Sequence, residues 1–144
     1  MTKEQLYAIP FMNANGYHSK TIAYSLYHIA RIEDIVAHTL ITNDQEVFFR
    51  KGYRKRMNSP IITTGNELIK QEIADFSSEL VLSELFDYFK AVYDSSNKLL
   101  NNLSYEDMKR KFSESDKQRI RDKKVVADCE EAIWLIDYWC DKDI

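Results

Sequence analysis

Only three glycines and two prolines interrupt 144 residues, and that scarcity constrains the fold more than any other feature of the chain. A sandwich or barrel needs turn residues every ten or so positions, whereas long helices run without breakers. The apolar residues agree with helices. Ile22, Leu26, Ile29, Val36 and Leu40 recur at spacings of three, four and seven, which puts them on one helical stripe. Leu82, Leu85, Phe89, Val92, Leu99 and Leu103 form a second seam, with Phe86, Tyr93 and Leu100 beside it, and Val125, Cys129, Ala132, Ile136 and Trp139 a third. These patterns predict an all-α helical bundle in a single domain over 1–144, with long helices near 20–42, 82–103 and 125–140.

Between the seams the reading is looser. Met1 to Lys20 is expected to be irregular around Pro10 and the Asn15-Gly16 turn signal, with Ser19 as the N-cap of the first long helix. Residues 42–65 read as a long connection with a short helix around Gln45 to Phe49. A further short helix is expected from Asn66 to Phe76, and one or two short pieces within the charged stretch from Tyr105 to Lys124.

Composition excludes several classes. With 44% hydrophobic and 30% charged residues, the chain is well away from the disordered regime. Its formal charge of -3 gives no overall attraction to nucleic acid or to an anionic membrane. Two basic clusters exist: Arg50, Lys51, Arg54, Lys55 and Arg56, then the lysines and arginines between Lys109 and Lys124. Acidic residues dilute the second, and no recognition motif accompanies either, so nucleic-acid binding is disfavoured. The opening residues show no basic segment followed by an apolar one, and no apolar run reaches the roughly 20 residues a membrane helix needs, so a cytoplasmic location without membrane association is expected. Cys129 and Cys140, if on one helix, lie about 16 Å apart along its axis and read as reduced thiols.

On a helical wheel of residues 21–41, Glu33 falls within the stripe between Ile29 and Val36, and His28 at its edge; Arg31, Asp34 and His38 fall on the more polar side. A buried carboxylate needs a partner or an upward pKa shift, so Glu33 and His28 form the candidate pocket. Each also has a plainer reading: His28 as a hydrogen-bonded structural residue, Glu33 as the partner of an Arg or Tyr on another helix. Asp34 and His38 read as a solvated pair on the helix face.

The segment from Thr21 to Asp34, with His28-Ile29-Ala30-Arg31-Ile32-Glu33-Asp34 at its centre, resembles the His-bearing helix of the DinB-like superfamily. Arg56-Met57-Asn58, Thr64-Gly65-Asn66 and the run from Ala132 to Trp139 resemble members of one branch of it. The resemblance implies a four-helix bundle. It also implies a divalent-metal site (Zn, Ni or Mn) built from three His, used in several members for thiol-dependent transferase or isomerase chemistry. His28 matches the first ligand. The other two His, four residues apart on the last helix of the family's bundle, have no counterpart here, so the site is expected to be degenerate or incomplete; Asp128, Glu130, Glu131 and Asp137 are the carboxylates that could replace them. The family branch also carries an additional helix before the region where this chain starts, so the bundle is expected to be completed by a homodimer. An active metal-dependent, thiol-using transferase or hydrolase is the alternative. A non-catalytic interaction module, weak nucleic-acid binding included, is the second; a small-molecule or thiol ligand belongs to the enzyme readings.

Overall fold

In the computed structural model, which describes residues 2–8 and 20–141, all regular structure is helical. The order is α1 (Lys3–Tyr7), α2 (Ile22–Asp34) running without a break into a π-helical segment (Ile35–Thr42), α3 (Val47–Arg50), α4 (Tyr53–Arg56), α5 (Gln71–Glu79), α6 (Leu82–Asn102), α7 (Tyr105–Met108), α8 (Glu114–Lys123) and α9 (Glu130–Cys140). No described helix is long and apolar enough to cross a membrane. Ser19, the expected N-cap, and the Asn15-Gly16 turn lie outside the described residues; Thr21 caps α2, accepting from the Tyr24 amide.

Two apolar clusters hold the elements together. One joins α2, α3, α4, α5 and α6 through Tyr24, Tyr27, Phe48, Tyr53, Phe76 and Tyr88 with aliphatic neighbours, the rings meeting mostly edge-on. The other gathers Ile35, Leu40, Ile120, Val125, Ala132 and Ile136 where the π-helical segment meets α8 and α9. Each fully buried Leu, Ile or Phe contributes about 1.5–3 kcal/mol.

The expected helices near 20–42 and 82–103 are present as Ile22–Thr42 and Leu82–Asn102. The third starts late, at Glu130, because Cys129 takes extended N-cap geometry and the Val125 carbonyl accepts from the Thr64 amide instead of joining a helix. The helix expected from Asn66 begins only at Gln71, after a turn in which Lys70 adopts positive φ.

The inward face of α2 differs from the wheel reading. Ala23, Tyr24, Tyr27, Ala30, Arg31 and Asp34 are buried, whereas Ile22 and Ile29 are exposed. The buried stripe is offset by one residue because tyrosines with bonded hydroxyls and a neutralised charge cluster pack better there than isoleucine. After Asp34 the backbone bonds change to the π-helical pattern, which fits an extra residue into each turn and brings Ile35, His38 and Leu40 inward together. The π-helical carbonyls freed at its end are claimed by two arginines. Arg119 donates to the Thr39 and Leu40 carbonyls at 2.7 and 3.1 Å, and Arg110 to the Ile41 carbonyl at 3.1 Å.

Candidate functional site

Residues 61–65 have little regular structure, and their carbonyls still need donors. Four side chains of α2 supply them. Arg31 donates to the Ile62 carbonyl at 2.6 Å, Tyr27 to Thr63 at 2.9 Å, His28 Nδ1 to Thr64 at 2.8 Å and Tyr24 to Gly65 at 2.8 Å. Gly65 is required there: its φ is +84°, and a Cβ would lie 3.1 Å from the Tyr24 ring. Burial pushes the Tyr27 hydroxyl up to about 12, keeping it a donor.

Below this ladder lies a buried charge cluster. Arg31 stacks its guanidinium 4.2 Å from the Phe48 ring centre and stands 2.8 Å from Glu46 Oε1, a contact that is an ion pair without the angle of a hydrogen bond. Tyr88 donates to Asp34 at 2.8 Å, and the two Asp34 oxygens receive the Val47 and Phe48 amides at 2.8 and 2.9 Å, covering the start of α3. Thr39 donates to Glu46 Oε2 at 2.5 Å. Burial opposes the charge on Arg31, but Tyr88 and Glu46 outweigh it and raise its pKa. Residues assigned to the polar side by the wheel, Arg31 and Asp34, therefore form the centre of the protein.

His28 is partly buried, stacked on Tyr24 with ring centres 5.6 Å apart. A carbonyl only accepts, so Nδ1 carries the proton and the neutral ring leaves its lone pair on Nε2. Burial lowers the His28 pKa and favours that neutral form. The acidic group that acts on it electrostatically is Glu67, not Glu33. Glu67 accepts from Thr63 through one oxygen, and its other oxygen is buried without a hydrogen-bond partner. Glu33 is only half-buried and its side chain takes part in none of the hydrogen bonds or ion pairs found among the described residues; the offset of the stripe carries it away from the core.

His38 is buried rather than solvated, and both ring nitrogens are engaged. Nδ1 lies 2.7 Å from Asp44 Oδ1 and Nε2 2.8 Å from Ser95 Oγ. The pairing expected with Asp34 is a 4.0 Å approach, beyond hydrogen-bond reach. Asn43, in the left-handed conformation, turns the chain so that the Asp44 amide returns to the His38 carbonyl at 2.8 Å. Burial disfavours the Asp44 carboxylate, but hydrogen bonds from Thr42 and His38 outweigh it and hold its pKa below the ordinary value. His38, Asp44 and Ser95 open onto a cleft of about 370 Å³ that Arg50, Lys98 and Asn102 also line. The inward turn of His38 had a signal in the 3-4-3-4 spacing of Tyr24, Tyr27, Arg31, Asp34 and His38, whereas Asp44 and Ser95 had none. A separate cavity of about 410 Å³, lined by Val126, Ala127, Asp128 and Ile133, lies away from both histidines.

Much of the basic surface has structural work. Arg56 pairs with Glu84 and Asp87, both at 2.8 Å, and Lys117 with Asp137 and Asp141, both at 3.0 Å. Asp137 is thereby engaged. Cys129 and Cys140 are free thiols, both shifted upward by burial.

No protein-family model, curated protein or solved structure matches this chain. The DinB-like resemblance implies a metal centre of three His. Among the described residues it does not fit: His38 has both nitrogens engaged at the far end of the helix, no three His, Cys, Asp or Glu side chains are grouped so as to hold a metal ion, and His18 lies outside the described residues.

Proposed function

We propose that this chain is a DinB-like helical-bundle protein of unassigned reaction, with an incomplete divalent-metal site at His28 in which Glu67 takes the place expected for Glu33. The observation that carries the reading is the pinning of His28 Nδ1 by the Thr64 carbonyl. Such a bond to the second nitrogen is the usual device that fixes a ligating imidazole. The unpartnered oxygen of Glu67 supplies a second donor of suitable chemistry. Two donors fall short of the three that a catalytic zinc site requires, so no reaction step is assigned to a metal here.

Titration of zinc, nickel and manganese by calorimetry tests this. Weak binding is expected, with a dissociation constant of about 10 μM or higher, lost in His28→Ala and Glu67→Gln and retained in Glu33→Gln. Tight stoichiometric metal lost in His28→Ala would restore the active transferase or hydrolase reading. Binding indifferent to His28 would remove the metal reading altogether.

Self-association and a cytoplasmic location belong to the same reading. Phe86, Tyr93 and Leu100 are exposed at seven-residue intervals along α6, and Ile22 and Ile29 along α2, a pattern suited to contact with a second copy. A homodimer is expected by sedimentation at micromolar concentration, reverting to monomer in Tyr93→Glu; a wild-type monomer would refute it.

A further inference from the structure

The cleft at the C-terminal end of the long helix has a different chemistry from His28. We propose that Ser95, His38 and Asp44 form a nucleophilic relay that hydrolyses small acyl esters bearing an anionic group.

The order of contacts carries the inference. Asp44, with its pKa held low, is a carboxylate that only accepts, so the 2.7 Å contact places the proton on His38 Nδ1. When the ring is neutral with its proton on Nδ1, the lone pair lies on Nε2, 2.8 Å from Ser95 Oγ, and the hydroxyl donates to it. Hydroxyl to Nε2 and Nδ1 to carboxylate is the arrangement that activates a serine, whatever the fold around it. Three separate devices fix it. The π-helical segment, a rare form enriched at functional sites, presents His38; the left-handed Asn43 returns Asp44 to it; and α6 delivers Ser95 from the opposite wall.

The cleft also accounts for the substrate's charge. Lys98 follows Ser95 by one helical turn, and Arg50 stands at the end of α3. Both also line an adjoining hollow of about 230 Å³ that contains Ser95 and Lys51. Arg50, Lys51 and Lys98 outnumber the Asp94 carboxylate in that hollow, and the surplus of positive charge beside the nucleophile favours an anionic group on the substrate and the oxyanion that develops during attack.

The chemistry needs only water. Ser95 Oγ bonds to the ester carbonyl carbon as its proton passes to His38 Nε2. The bond from that carbon to the leaving oxygen then breaks, and the alcohol departs with the proton from Nε2. Water attacks the acyl-serine, giving a proton to Nε2; the bond to Oγ breaks, Oγ recovers that proton, and the carboxylic acid leaves and ionises in solvent. Nothing is oxidised or reduced.

The test uses a fluorophosphonate probe together with p-nitrophenyl acetate and mono-p-nitrophenyl succinate, in buffer with a metal chelator so that the result is independent of His28. Ser95 is expected to be the labelled residue by peptide mass. Succinate-ester turnover should fall about 100-fold or more in Ser95→Ala and in Asp44→Asn, with helical circular dichroism retained. Arg50→Gln should lower kcat/KM for the succinate ester by a larger factor than for the acetate ester. Absence of label on wild-type Ser95, or ester turnover that survives Ser95→Ala, overturns the proposal.

Discussion

The two histidines of one continuous helix, ten residues apart, are held in opposite ways. His28 has one nitrogen fixed by the Thr64 backbone and a lone pair on the other; His38 has both nitrogens bonded to side chains of other segments. The first arrangement suits a ligand to a cation or a structural donor, the second suits proton transfer between fixed partners. What separates them is Arg31 and Asp34 on the intervening turns, joined by Glu46 from the start of α3, all three with side chains fully withdrawn from solvent. Residue type therefore says little about a histidine here. The partner on the far nitrogen decides.

The most severe way to break this comparison is to remove its divider. Arg31→Met leaves Asp34 and Glu46 buried without their common counter-charge, and the expected loss is about 3–5 kcal/mol of unfolding free energy, measured by urea denaturation. An unchanged midpoint would show that the cluster does not organise the two ends.

A smaller effect acts on the His38 end alone. Arg119→Leu deprives the Thr39 and Leu40 carbonyls of their donor, costing about 1.5–3 kcal/mol. Faster amide exchange is expected in residues 39–45, with residues 24–31 unaffected. Uniform acceleration across both stretches would mean the two ends are not independent.

The His28 end is sharpened by pH. Its folded pKa lies below the ordinary 6.5, so between that lowered value and 6.5 the unfolded chain binds more protons than the native one. Stability must then rise with pH in this window and fall on acidification from about 6.5 downward. The slope of stability between pH 7 and 5 should be shallower in His28→Gln than in wild type, and equal slopes would contradict the burial of this ring. Smallest of all is Glu33→Gln. A half-buried group with no ion pair among the described residues should shift stability by no more than about 0.5 kcal/mol, whereas a loss above 1 kcal/mol would return Glu33 to the core.

These contrasts separate what was legible in the sequence from what was not. Scarce breakers and repeated apolar spacing specified helices near 20–42 and 82–103, observed as Ile22–Thr42 and Leu82–Asn102, because periodicity depends on neighbours three and four residues away along the same chain. Cys129 shows the limit: its apolar seam continued upstream to Val125, yet the Thr64 amide, distant in sequence, claimed the Val125 carbonyl and delayed the helix. The two residues of the candidate pocket have different surroundings in the structure. Glu33 reads as inward because its apolar neighbours Ile29 and Val36 set the stripe, and Arg31 and Asp34 as outward because a wheel takes no account of the counter-charges that bury them.

Sequence by itself determined that the chain is helical and where its longest helices run. Tertiary structure decided which face of α2 is inward, since Arg31 and Asp34 became the better-packed side only once Glu46, Tyr88 and the α3 amides arrived to neutralise and bond them. It also decided the partners of both histidines. Thr64, Glu67, Asp44 and Ser95 lie on loops and a second helix, and the energy of a buried polar group is set by the groups that surround it in space rather than by its neighbours along the chain.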